Sequence, residues 1–223
     1  MYDFAMGNTA TALLLREGVR LARKHGRSAA ALAATFYDHV ARAEGADVPK
    51  AAMTVVANAG RMANIVEGAR PKLDAGDAEG FAKACADAVA NDVKRSATAT
   101  IKSNARRDNA EYAWIPQGSE TCAFCITLAS NGWTPASRST AMGDHAEHIH
   151  PNCECEFAIR FGSEGGVAGY DPSVYEEMYD GAEGRSSQDK INAIRREQYA
   201  GNKDKINAQH RERYAALHPK EDE

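Results

Sequence analysis

Between Cys122 and Cys155 the sequence reads CAFCITLASNGWTPASRSTAMGDHAEHIHPNCEC, and this stretch carries four of the chain's five cysteines and three of its seven histidines. Cys122 and Cys125 form a CxxC pair, and His150, Cys153 and Cys155 follow as HxxCxC. A CxxC turn lets two thiolates approach one metal ion, and a second short His/Cys cluster completes a tetrahedral zinc site. Five donors compete for four places. The preferred set is Cys122, Cys125, His150 and Cys155, with Cys153 as the alternate, and His148 can take the place of His150. Residues two apart on an extended strand share a face, so either Cys153 or Cys155 binds while the other packs beside it. The competing use of these residues is two disulfides or buried thiols. The clustering is the zinc pattern, and the chain shows no secretory signal that would send it to an oxidising compartment. A module of this kind folds around its metal, since structural zinc contributes roughly 10 to 16 kcal/mol of apparent binding free energy in finger-like peptides.

The elements that must position these donors are mostly helical. Leu14, Leu15, Val19 and Ala22 lie on one side of an amphipathic run that starts at Thr9 and stops at Gly26. Ser28 can cap a second helix, with Leu32, Phe36, Val40 and Ala43 at helical spacing and Gly45 closing it. Pro49 opens a third, through Met53, Val56 and Met62 to about Glu67, ended by Pro71. A long spine helix follows from a cap at Asp77 to Arg107, with Phe81, Cys85, Val89, Val93, Ala97, Ile101 and Ala105 as its apolar stripe. His25 and His39 have no ligand partner one turn away and read as structural or solvated, and Cys85 as a small apolar side chain. Beyond Asn109 the pattern predicts a strand near Tyr112–Pro116, one or two helical turns over Cys122–Ser130, polar loop from Thr134 to Asp144, and a strand over Cys155–Phe161. That last strand is expected to pair with the Trp114 segment, with Cys155, Phe157 and Ile159 on one face. Trp114, Phe124, Trp133 and Phe157 are expected to pack over one small core.

From Gly162 the chain reads as linker, with one short helix over Tyr170–Asp180. A repeat of period 15 follows: DKINAIRREQYAGNK from Asp189 and DKINAQHRERYAALH from Asp204. Two such copies cannot bury a core by themselves and read as charged, marginal helices that order on a partner or stay mobile. The expected fold is therefore mainly α with a small zinc-stapled α+β module. Its parts are a helical region over 1–108, the cysteine and histidine module over 109–162, a flexible linker over 163–188 and a charged repeat tail over 189–223.

Charge is uneven along the chain. Residues 1–108 carry 16 Lys and Arg against 12 Asp and Glu, residues 109–184 carry 2 against 12, and residues 185–223 carry 9 against 7. A nucleic-acid surface needs clustered cations, so the acidic cysteine module is a poor one, whereas the tail permits weak DNA contact. An acidic module between basic flanks suits a basic protein partner or contact with copies of the same chain. No apolar run approaches the length of a transmembrane helix, and the expected setting is a reducing cytoplasm.

The order WIP, CAFC, LAS, NGW and then HPNCEC resembles the Mu F-like minor capsid, or head-morphogenesis, proteins of tailed bacteriophages. The likeness runs from about Val93 to Phe161. HPNC followed by a second cysteine is its most specific part, and CAFC with LAS marks a subgroup with the extra cysteine pair. Where members usually read CRC, this chain has Cys153-Glu154-Cys155. The resemblance implies a structural protein of head assembly, with portal and capsid proteins as partners, DNA within reach at the entry channel, and residence in the virion after assembly in the host cytoplasm. A closed four-ligand zinc site leaves no position for substrate, which agrees with a protein that is not an enzyme.

Two enzymatic readings compete. The segment from Asp144 to Pro151, DHAEHIHP, is similar to the metal-and-base strand of His-Asn-His nucleases, but Cys153 follows too soon for that fold's later Asn and His. A zinc deaminase needs HxE before its CxxC, and here the CxxC precedes His145-Ala146-Glu147. If the metal is structural, Cys122→Ser or Cys125→Ser unfolds the cysteine module and leaves the N-terminal helices formed. Thermal melting followed by circular dichroism checks this, and unchanged melting in both variants would exclude a structural metal.

Overall fold

The computed structural model describes residues 4–117, 121–136, 155–163 and 165–217. It is mainly helical, with one small three-stranded antiparallel sheet. The chain forms two compact units, Met1–Ala113 with Trp133–Ala168, and Trp114–Gly132 with Gly169–Glu223.

The first unit is built on α1 (Phe4–Ala43), α2 (Ala59–Asp74) and α3 (Ala78–Arg107). The two helices expected on either side of Gly26 are one continuous helix. Gly26 is a packing residue rather than a stop: a Cβ there would lie 2.6 Å from Ser96 Oγ on α3. The face of α1 that is buried carries small residues, with Ala22, Ala30, Ala33, Ala34 and Ala41 ending around Tyr37, and this lets the α1 and α3 backbones approach closely. Three of the larger apolar residues expected to face the core are exposed instead, Leu14 being 44% exposed, Leu32 73% and Phe36 47%, whereas Leu15, Val19 and Val40 are half-buried. Helix α1 does end at Gly45, as its glycine suggests. With φ +69° Gly45 takes the left-handed turn, and Ala46 N–H donates to Ala41 C=O at 2.8 Å.

The third expected helix starts later than Pro49. Residues 46–58 are neither helix nor strand, and α2 begins after Asn58, whose side chain accepts from Arg61 N–H at 3.0 Å. Pro71 sits inside its last turn. The spine helix α3 starts at its expected cap, Asp77, whose carboxylate accepts from Gly80 N–H at 2.8 Å, and it ends at Arg107.

The stripe that α3 buries, however, is largely polar: Asp92, Ser96, Thr100 and Asn104 are each no more than 2% exposed. These four residues, one turn apart, hold the backbone of residues 52–58 running antiparallel to them. Asn104 accepts from Ala52 N–H at 2.9 Å and donates to Ala52 C=O at 2.8 Å. Thr100 Oγ1 accepts from Thr54 N–H at 2.9 Å and lies 3.1 Å from Thr54 C=O. Ser96 Oγ accepts from Val56 N–H at 2.9 Å and lies 3.3 Å from Val56 C=O, and Asp92 accepts from Asn58 N–H at 3.3 Å. Each hydroxyl also contacts the carbonyl one turn back, Ser96 to Asp92 C=O at 2.9 Å and Thr100 to Ser96 C=O at 2.8 Å. The periods match: four helical residues advance about 6.0 Å, and two extended residues about 6.2 to 6.8 Å. Helix α3 thus replaces a neighbouring strand, side chains supplying what a sheet would supply from its backbone. Arg61 pairs with the buried carboxylate of Asp92 and ties α2 to the same row.

The sheet has the order β2 (Thr134–Pro135), β1 (Glu111–Ile115), β3 (Glu156–Arg160). β3 lies beside β1 as the sequence suggests. β2 forms where loop was expected, pairing Thr134 with Tyr112 and Pro135 with Glu111. Phe157, Ala158 and Ile159 are all buried, so β3 is covered on both faces instead of one. It is pinned to α1 by Glu44, which accepts from Phe161 N–H at 2.6 Å, and by Tyr37, edge-on to Phe161 at 5.4 Å. Arg160 bonds Glu111 at 2.5 Å and stacks over Trp133 at 4.6 Å. The Tyr37 hydroxyl donates to Asp108 at 2.8 Å. Burial alone would raise the Asp108 carboxyl, but hydrogen bonds from Arg107 and Tyr37 outweigh it and hold the group below its ordinary value.

Thr100→Val keeps the shape of the side chain and leaves Thr54 N–H without its acceptor. The expected loss is about 1 to 3 kcal/mol, the cost of a polar group left unsatisfied on burial. Urea unfolding measures it, and a midpoint equal to wild type would show that the row of hydroxyls does not hold residues 52–58.

Candidate metal centre

Cys122 is the N-cap of α4 (Ala123–Ala129), with extended backbone, and its Sγ accepts from Cys125 N–H at 3.4 Å. This is the tight CxxC turn inferred from the spacing, and it places both cysteines at the start of one short helix. Cys122 is half-buried, whereas Cys125 is 3% exposed. Cys155 is half-buried and directly precedes β3, so its backbone is fixed by the strand that Glu44, Tyr37 and Arg160 anchor. Cys122 and Cys125 belong to the second unit and Cys155 to the first. His150 and Cys153, together with His145 and His148, lie outside the described residues. Among the described residues no three His, Cys, Asp or Glu side chains gather as a metal site. Cys85 is a half-buried helix residue whose thiol is pushed up by burial, which suits its reading as a small apolar side chain.

What holds the CxxC helix in place is the first copy of the C-terminal repeat. α5 (Pro172–Asp180) and α6 (Ser187–Leu217) enclose α4 in the second unit. Its core is Ala123, Ile126, Ala182, Ile191, Ala193 and Ile194, with Phe124, Tyr175 and Tyr179 against it. Gln198 donates to Thr121 C=O at 2.6 Å, just before the CxxC, and Tyr170 donates to Ala129 C=O at 2.8 Å at the far end of α4. Burial pushes the Tyr170 hydroxyl up to about 12, so this donor keeps its proton throughout the neutral range.

The interrupted tail expected from the sequence is instead one helix through Gly201 and Asn202, while α5 forms where one short helix was expected over Tyr170–Asp180. The first repeat copy joins this core. Ile191 and Ile194 of the first are 7% and 4% exposed, and the second has Gln209 where the first has Ile194. That difference, one of six between the copies, was a signal that the first copy has a core to join.

The four aromatic residues expected to share one core are all buried or half-buried. Phe124 lies against the core of the second unit, Phe157 stacks on Tyr112 at 4.9 Å in the first, and Trp133 meets Arg160. Trp114 is buried within β1.

A family model described as VG15 protein matches residues 2–182, and the chain belongs to that family, a family of phage proteins. No curated protein and no solved structure matches it.

The fully buried Ile126 is central to the support of the CxxC turn. Ile126→Ala is expected to destabilise the second unit by about 2 to 5 kcal/mol, the usual range for such truncations. Hydrogen exchange of the α4 amides tracks the effect, and protection equal to wild type would mean that α4 does not depend on this core.

Proposed function

Proceeding from membership of this phage protein family, we propose that the chain is a structural minor capsid protein of a tailed bacteriophage that acts in head assembly at the portal. The observation that carries this reading is the motif order WIP, CAFC, LAS, NGW and HPNCEC, all of it inside the residues that the family model spans. The packing supports it: the CxxC turn is seated on a helical core and Cys155 on a strand pinned to α1, an arrangement suited to holding shape. No helix among the described residues is long and apolar enough to cross a membrane.

In this reading the protein is not an enzyme. Its partners are portal and capsid proteins and further copies of itself, and it resides in the virion after assembly in the host cytoplasm. A structural zinc held by the CxxC pair and the HxxCxC cluster, with His150 and Cys155 preferred and Cys153 as alternate, stiffens the cysteine segment. The support for zinc is the donor spacing in the sequence together with the observed turn at Cys122.

Elemental analysis of purified protein, a plasmid-cleavage assay with added Mg²⁺ or Mn²⁺, and co-purification with the portal protein test these statements together. The expected outcome is about one zinc per chain, as one four-ligand site requires, intact plasmid and a portal complex. Cleavage that a divalent metal switches on would replace the structural reading with the His-Asn-His nuclease.

A further inference from the structure

The strongest basic feature lies outside the cysteine segment, on α1. Arg16, Arg20, Arg23, Lys24 and Arg27 line an open groove of about 770 Å³ together with Leu15, Glu17, Val19 and Ala59. All five cations are exposed. At 100° per residue they fall within an arc of about 100°, and from Arg16 to Arg27 they extend about 16 Å along the helix. Glu17 is the one acid in the lining, and it bridges Arg20 at 2.6 Å and Arg16 at 3.5 Å. Among the described residues Arg23, Lys24 and Arg27 have no carboxylate partner. The groove also borders Ala59, the first residue of α2, where the positive end of that helix's dipole adds to the same field.

We propose that this groove binds the phosphate backbone of a nucleic acid without reading its sequence. Four of the five cations are arginines, whose planar guanidinium pairs two of its N–H groups with one phosphate. They recur about once per turn along one continuous helix, which suits a regularly spaced polyanion better than a folded acidic surface. The residues that bury the opposite side of α1 are small and carry no charge, so the field of the row is aimed outward. This site is distinct from the C-terminal repeat, which the sequence alone had suggested for weak DNA contact. It goes beyond the head-assembly reading, giving a protein of that kind a surface for the packaged polymer.

The test is fluorescence anisotropy of a labelled random-sequence DNA duplex titrated with the full chain over a range of salt. Each neutralised phosphate contributes about 0.9 to the slope of log affinity against log salt, so five contacts give a slope of about −4.5. Arg23→Ala/Lys24→Ala/Arg27→Ala is expected to reduce it to about −2, and Arg195→Ala/Arg196→Ala on α6 to leave it unchanged. Circular dichroism confirms that both variants are folded. A slope unaffected by the α1 changes, or lost with the α6 changes instead, overturns the proposal. So does sedimentation showing that α1 mediates self-association without DNA binding, which would assign the groove to the acidic surface of a second copy. None of these outcomes bears on portal co-purification, which tests head assembly separately.

Discussion

The first unit depends on a helix that hydrogen-bonds as a strand would. Residues 52, 54 and 56 each turn both N–H and C=O toward α3, which is the habit of extended backbone, where the two groups of one residue point to the same side. No strand is there to receive them. Asn104, Thr100 and Ser96 do so instead, because one turn of helix and two residues of extended chain advance by nearly the same distance. Without these side chains the segment would bury unsatisfied backbone, and the connection from α1 to α2 would have no fixed path. With them, the segment, α2 through Arg61 and Asp92, and α1 through Asp38, which accepts from Ala51 N–H at 2.8 Å, are all referred to α3.

This explains the composition of the N-terminal half. Alanine and glycine on α1 allow the close approach that brings α3 under the extended segment, and at Gly26 a Cβ would collide with Ser96. A thin core of small side chains buries little apolar area per residue, so satisfied polar contacts carry more of the specificity than they would in a leucine-rich bundle. The same frame reaches the sheet. Tyr37 and Glu44 at the end of α1 receive Phe161, and the strand they pin begins directly after Cys155. Away from its small buried residues, α1 displays its row of arginines along the groove that Ala59 of α2 borders.

The second unit solves a different problem. A helix of seven residues with a CxxC at its start cannot hold itself, since isolated helices of that length are unstable in water. The isoleucines of the first repeat copy and the tyrosines of α5 supply the apolar surface that α4 lacks. The first repeat copy is therefore no appendage: it supplies part of the core on which α4 rests.

The sequence by itself determined the helix-rich class, the cap at Asp77, the turn at Gly45, the short helix after Cys122 and the adjacency of the Trp114 and Phe157 strands. The caps and turns rest on local chemistry: a side chain that caps its own helix, a glycine free to adopt positive φ, a spacing that closes a turn. The strand pairing rests on two short apolar runs with no other strand partner in the sequence pattern. The tertiary structure alone decided which faces were buried. Ser96, Thr100 and Asn104 look like a solvated face in an alanine-rich helix, because their acceptors and donors lie 40 to 52 residues away. Leu32 and Phe36 look like core, because periodicity marks a stripe without saying what is close enough to cover it. Gly26 looked like a stop because a helix end and a close helix crossing both call for a missing Cβ, and only the position of Ser96 distinguishes them.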